Sequence, residues 1–220
     1  MERLAQRVRD EKLEIHCIPT SFQVNISSVC LISPLMSSPE CFSRAKAKHL
    51  IRFHELCLGD LEEFPAIDVT IDGADEVDQD KVLIKGGGGC LTQEKIIAAA
   101  SHKLIIVADH SKKSARLGQN WKKGIPIEVI PMAFNFVRNK IHSQFGGKAN
   151  LRHAKAKAGP VVTDNSNFIL DWVFDPAKNY NWSEVETALN MIPGVVENGL
   201  FIDMAQQVYF GEADGSVSII

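Results

Sequence analysis

Apolar positions in the first part of the chain alternate between helical and strand repeats. Leu4, Ala5 and Val8 make a helical stripe over residues 2–12, and Leu13–Ile18 reads as a strand ended by Pro19. A second helix is predicted over Arg44–Leu56, where Ala47, Leu50, Ile51 and His54 recur at helical spacing. Ile67–Ile71 is a short β-rich run that stops at Asp72-Gly73. Ile84 leads into a run of four glycines, and Leu91–Ser101 is a helix rich in alanine and isoleucine. Leu104–Ala108 is continuously apolar, as expected of a strand buried on both faces of a parallel sheet. Ile125–Ile130 is expected as a further short strand, ended by Pro131. Strands alternating with helices predict a βαβ-type layered sheet.

The pattern changes after Pro131. Ala133–Gln144 reads as a helix stopped by Phe145-Gly146-Gly147. Val161-Val162 and Phe168–Phe174 flank Asp164-Asn165-Ser166-Asn167, which predicts a hairpin. Ser183, with Glu186 three residues on, predicts a capping box for a helix to Met191. Gly199–Met204 reads as a strand, and Val208–Gly211 and Val217–Ile220 as strands returning to the first sheet. The predicted fold class is α/β: a Rossmann-like layered sheet over residues 1–130 and 206–220, with a second, smaller α+β domain over 131–205. Residues 24–43 fit neither; they are serine-rich, carry one charge at Glu40, and predict an irregular surface loop.

At 220 residues and 45% hydrophobic composition, the chain can bury a substantial core. Its net charge of −3 and scattered lysines and arginines argue against nucleic-acid binding by phosphate neutralisation. No apolar run approaches the ~20 residues of a membrane span, and Met1-Glu2-Arg3-Leu4 does not open a secretory signal. The five cysteines lack C-x-x-C spacing, which favours reduced thiols over a disulfide framework or zinc site. The expectation is a soluble, cytoplasmic protein.

Chemistry-bearing residues cluster between Asp72 and Lys95. Asp72-Gly73-Ala74-Asp75-Glu76 follows a strand end, where ligands of open α/β sheets gather. An Asp-Gly turn would account for Asp72 and Gly73 but leaves Asp75 unexplained. Glu76 could point to solvent and is not counted among the site residues. Lys85 precedes Gly86-Gly87-Gly88-Gly89, a run between strand and helix that suits close backbone approach to an anion. The run is neither a Walker A loop nor a dinucleotide fingerprint, and it lacks the polar company of a flexible linker. Glu94 lies in the first helical turn, where it could be a catalytic base or simply a charge favoured by the helix dipole. Lys112 follows another strand end and could reach an anionic group or remain a solvated surface lysine. The seven histidines form no metal-ligand spacing, so no metal is expected.

Taken together, Ile71–Glu76, Lys85 with its four glycines, and Thr92-Gln93-Glu94-Lys95 resemble the ribose-5-phosphate isomerase type A family. The likeness extends through Pro126–Pro131, Val162-Thr163-Asp164-Asn165 and Ile192–Val196, and covers about residues 1–23 and 44–220. It implies interconversion of ribose 5-phosphate and ribulose 5-phosphate through an enediolate, in the pentose phosphate pathway, with no cofactor. By resemblance Glu94 is the base, and Asp72, Asp75 and Lys85 serve ring opening, proton traffic and charge stabilisation. Gly73, Ala74, Gly86, Gly87, Gly88 and Lys112 would contact the sugar phosphate.

The family resemblance further implies a homo-oligomer, a dimer or tetramer. Family members carry a helix, a strand and a Gly-Thr-Gly-Ser-Thr phosphate loop upstream of the position of Met1, and lack residues 24–43. The expectation is therefore an N-terminally truncated chain with an insertion and impaired substrate affinity. The competing expectation is a non-catalytic sugar-phosphate-binding or partner subunit.

Overall fold

The computed structural model describes residues 61–62, 64–156 and 158–220. The elements expected over residues 2–12, 13–18 and 44–56, and the loop over 24–43, lie outside the described residues. In chain order the strands are β1 (Ile67–Asp72), β2 (Glu76–Val77), β3 (Leu83–Ile84), β4 (Ser101–Asp109), β5 (Ile125–Val129) and β6 (Lys148–Leu151). They continue with β7 (Phe168–Val173), β8 (Val195–Asn198), β9 (Leu200–Phe201), β10 (Ala205–Gly211) and β11 (Val217–Ile219). The α-helices are α1 (Leu91–Ala99), α2 (Phe134–Phe145) and α3 (Trp182–Asn190). Parallel and antiparallel sheets with helices between them make an α/β fold. Two compact units share the described residues: one holds those up to Gly73, Gln93–His110 and Met204–Ile220, the other those within Ala74–Thr92 and Ser111–Asp203.

The first unit is built on a sheet ordered β1-β4-β10-β11, parallel except for β11 at its edge. Leu104–Ala108 of β4 is buried throughout, as its unbroken apolar run predicts for a central strand. Ile105, Val107 and Tyr209 form one packed cluster with Val69, Ile71 and Val217. Asp72 sits at the carboxyl end of β1, opposite Ile106 in the register. The Ser101 hydroxyl donates to the Ile97 carbonyl at 2.7 Å and meets Thr70 Oγ1 at 2.6 Å, which ties the end of α1 to the start of β4 and the middle of β1. The return of the C-terminal residues to this sheet, expected from the pattern, is observed in β10 and β11.

The second unit carries an antiparallel sheet ordered β6-β7-β5-β8 and a small one ordered β2-β3-β9. Ile125–Val129 thus forms a strand where expected, yet it pairs antiparallel with β7 and β8 rather than extending the parallel layer. The expected hairpin around Asp164–Asn167 does not form. Its turn closes through Thr163 N–H to Asn167 O at 2.9 Å, but Val161 N–H goes to Arg152 O at 2.8 Å, and β7 pairs with β6 and β5. The helix over 182–190 is capped by Asn181, whose side chain accepts from Glu184 N–H and donates to Glu184 Oε1 at 2.8 Å. The i, i+3 logic of the capping box holds, two residues earlier than Ser183 and Glu186. Gly199–Met204 contributes only the two-residue β9.

Helical spacing places the core residues of this unit. Val137 and Ile141 on α2, and Val185 and Leu189 on α3, recur at i, i+4 and are buried with Ile125, Ile127 and Val129 of β5. Trp172 is fully buried, its ring 5.4 Å from that of Phe145, 5.7 Å from Phe174 and 5.8 Å from Tyr180. Its indole N–H donates to Gly146 O at 2.9 Å, so the polar end of the ring is satisfied.

Two buried carboxylates follow the acidic turn. Glu76, for which solvent exposure was left open, is fully buried and accepts the backbone N–H groups of Gly118 and Asn120 at 2.6 Å each and of Trp121 at 3.3 Å. Both residues of β2 are enclosed, and the three amides replace the water that Glu76 loses. Asp78 accepts from Asp80 N–H at 3.0 Å and Val82 N–H at 2.9 Å. Burial pushes its carboxyl above the ordinary 3.8; the charges of Asp80 and Glu76 push the same way, and the two N–H bonds oppose them. A raised folded pKa means the native state holds this proton more tightly. Stability is then fully present below 3.8 and falls as pH rises through the folded pKa. Asp78→Asn keeps the carbonyl acceptor and removes that cost. Its melting temperature should exceed the parent's at pH 7, and the gain should vanish in melts run below the ordinary carboxyl range.

Candidate active site

The glycine loop of the second unit is a built structure. Its ends turn through left-handed backbone at Gly86 (φ 95°) and Gly89 (φ 94°), and Gly89 N–H donates to Gly86 O at 2.9 Å. At Gly87 the constraint is space. A Cβ there would lie 2.5 Å from Asp75 Oδ1 and 2.7 Å from the Trp121 ring. This close approach lets Gly87 N–H donate to Asp75 Oδ2 at 2.6 Å. The acidic turn and the glycine loop, twelve residues apart, are therefore one hydrogen-bonded unit. Asp75 is also fixed through its backbone, its N–H reaching Ile84 O at 2.8 Å.

Lys85 is buried, with its ammonium 5.3 Å from the centroid of the Phe201 ring. Its backbone N–H donates to Gly199 O at 2.8 Å, and pairing of β3 with β9 holds it there. Lys112 ends a short 3-10 turn over His110–Lys112, and its ammonium lies 5.9 Å from the Trp121 ring centroid. Trp121 thus borders both Gly87 and Lys112. Ala74 and Gly88 also belong to this unit, Gly88 on the exposed side of the loop.

Asp72, Gly73 and Glu94 belong to the first unit. Asp72 is buried and accepts the N–H of Gly73 at 2.8 Å, which aims its carboxylate along the strand end. Glu94 lies in the first turn of α1 and is partly exposed. Among the described residues no group of three or more His, Cys, Asp or Glu could hold a metal ion. No described helix is long and apolar enough to cross a membrane.

The second unit also holds a carboxylate that sequence reasoning did not single out. Glu128 is fully buried. Its Oε1 accepts from Thr163 Oγ1 at 2.8 Å and from Asn165 and Asn167 Nδ2 at 2.9 Å each, and its Oε2 from Thr92 Oγ1 at 2.7 Å. Thr92 is the second residue of α1, two before Glu94. The motifs around Glu128 and Thr163-Asp164-Asn165 are therefore one internal hydrogen-bonded hub.

The ribose 5-phosphate isomerase A (phosphoriboisomerase A) family model matches residues 42–215. The chain belongs to this family. It is 53% identical over 219 residues to proteins named ribose-5-phosphate isomerase from Sus scrofa and Homo sapiens. Those alignments cover all of this chain but only 63% and 62% of those proteins' own lengths. Among solved structures, a D-ribose-5-phosphate isomerase in complex with phospho-erythronic acid aligns with TM-score 0.74 and 43% identity, over 80% of this chain and 74% of that one. A ribose 5-phosphate isomerase A from Methanocaldococcus jannaschii aligns with TM-score 0.74 and 36% identity, over 99% and 83%. The family motifs thus coincide with the bonded acidic turn, glycine loop and Glu128 hub.

The hub sets a stability expectation. Glu128→Leu would leave two buried hydroxyl donors, Thr92 and Thr163, without their acceptor, at roughly 1 kcal/mol or more each, while the exposed Asn165 and half-buried Asn167 amides can turn to water. Urea denaturation should show a loss of about 2–4 kcal/mol. Glu128→Gln keeps one carbonyl oxygen but turns an NH2 toward donors, and should lose about 1–3 kcal/mol.

Proposed function

We propose that the chain acts as an aldose–ketose isomerase on ribose 5-phosphate and ribulose 5-phosphate, a reaction of the pentose phosphate pathway. The observation that carries this reading is the bond between Gly87 N–H and Asp75, which makes the acidic turn and the glycine loop one preorganised structure in a chain of this family. Proteins named for this activity share 53% identity with it.

In this reading Glu94 takes the proton from C2 of the open-chain aldose. The C–H electron pair forms the C1–C2 double bond of an enediolate, with negative charge on the C1 oxygen. Glu94 returns the proton to C1, and a proton passes between the two oxygens to leave the ketose. Asp72 and Asp75 serve ring opening and this oxygen-to-oxygen transfer. The buried ammonium of Lys85 offsets the developing negative charge, where low local dielectric strengthens its effect. Gly87 acts through Asp75, because its N–H orients that carboxylate. Gly73, Ala74, Gly86 and Gly88 line the sugar, and Lys112 meets the phosphate end. The chemistry moves protons only and calls for no cofactor. The working form is a cytoplasmic homo-oligomer.

Glu94→Gln removes the base while keeping the side chain's size. Ribulose 5-phosphate formation by the purified variant should fall about 10²- to 10⁴-fold relative to the parent chain, the range of a general base. Calorimetric binding of the sugar phosphate should persist. Equal turnover by parent and variant would remove Glu94 from the mechanism, and binding without turnover in both would favour a non-catalytic sugar-phosphate-binding subunit.

A further inference from the structure

Arg152 lies immediately after β6, outside the motifs quoted above. Its backbone is pinned on both sides: its N–H donates to Ile169 O at 2.8 Å, and its carbonyl accepts Val161 N–H at 2.8 Å. Its side chain is mostly buried and makes four hydrogen bonds. Nε donates to Asp171 Oδ2 at 2.8 Å and Nη2 to Asp171 Oδ1, a two-point fork on one carboxylate. Nη1 donates to two consecutive loop carbonyls, Gly86 O at 3.0 Å and Gly87 O at 3.1 Å.

Those two carbonyls decide where the loop amides point. A trans peptide is planar, so its C=O and the following N–H point in opposite directions. With Gly86 O held by Arg152, Gly87 N–H must point away from the guanidinium, and there it meets Asp75 Oδ2 at 2.6 Å. The same peptide plane is gripped at one end by a cation and at the other by an anion. With Gly87 O held, Gly88 N–H is likewise turned away from Arg152. Glycine backbone has no side chain to resist rotation of these planes. Something outside the run must fix them, and Asp171 keeps the arginine in place to do so.

We infer that Arg152 is a positioning residue of the isomerase site, which sets the Gly86–Gly87 peptide so that Gly87 N–H orients the Asp75 carboxylate. The inference rests on the isomerase reading above. Lysine cannot replace the fork, because its single ammonium cannot hold Asp171 at two points and both carbonyls together.

The test compares Arg152→Gln, Arg152→Lys and Asp171→Asn with the parent chain. Melting temperature, kcat and KM for ribose 5-phosphate, and affinity for a phosphorylated aldonohydroxamate that mimics the enediolate are measured. In Arg152→Gln, kcat and hydroxamate affinity should each fall about 10- to 100-fold, the scale of a small misplacement of reacting groups. KM should change less than about threefold on the same reasoning, since the anchor acts on the reacting end. Arg152→Lys should recover part of the loss.

A folded Arg152→Gln with hydroxamate affinity and kcat both unchanged overturns the inference. If Arg152→Gln does not fold, Asp171→Asn decides: a smaller loss in the same two quantities supports the inference, and parent values overturn it. A parent chain that neither binds the hydroxamate nor turns over sinks the isomerase reading, and this inference with it. A parent that does both, beside unaffected variants, sinks this inference alone.

Discussion

A buried carboxylate must be surrounded by donors or the fold does not tolerate it, and Glu128 is where that demand organises the second unit. Its two oxygens draw in hydroxyls from Thr92 and Thr163 and amides from Asn165 and Asn167. Each donor comes from a segment with no regular ladder to hold it at that point. The turn over 163–167 is shaped to deliver three of the four, and Ser166 takes a left-handed φ of 63° within it. The fourth, Thr92, stands where the glycine loop becomes α1. One acceptor therefore fixes both the irregular turn and the exit of the loop.

The loop's entry is fixed differently. There the agents are charges on opposite sides of a flexible backbone, Arg152 on the carbonyls and Asp75 on an amide. The loop gains definition from ionic neighbours on its carbonyls and its amide. Glycine's freedom and the charged anchors are complementary: without the first, Asp75 could not come so close, and without the second, the planes would be undefined. Lys85, which immediately precedes the loop, is a buried cation held against the Phe201 ring.

Elements with a strong repeat were legible in the sequence. β1, α1, β4, α2 and α3 appear close to their expected positions because apolar spacing and punctuation by Gly and Pro agree there. Pairing was less legible. Ile125–Val129 reads as a strand, but nothing in five buried residues says whether neighbours run parallel or antiparallel. Lys148–Leu151 carries too little β-branched character to announce β6, and pairing with β7 gives it order. The motif residues of the site stood out because glycine runs and clustered carboxylates are costly without cause. Glu76 and Glu128 were not singled out, since a single glutamate looks alike whether solvated or enclosed; only folded neighbours reveal its donors. Arg152 and Asp171, nineteen residues apart, meet only because β6 and β7 pair.

The chain passes between its two compact units at Gly73/Ala74, Thr92/Gln93, His110/Ser111 and Asp203/Met204. Neither unit is a continuous stretch of polypeptide. A nascent chain that has reached Thr92 has supplied only part of each; the second unit is complete only at Asp203, and the first only once β10 and β11 follow. Recombination faces the same obstacle, because lifting one unit into another gene would require several joins at once. Such interleaving binds the inheritance of the loop-bearing unit to that of the parallel sheet.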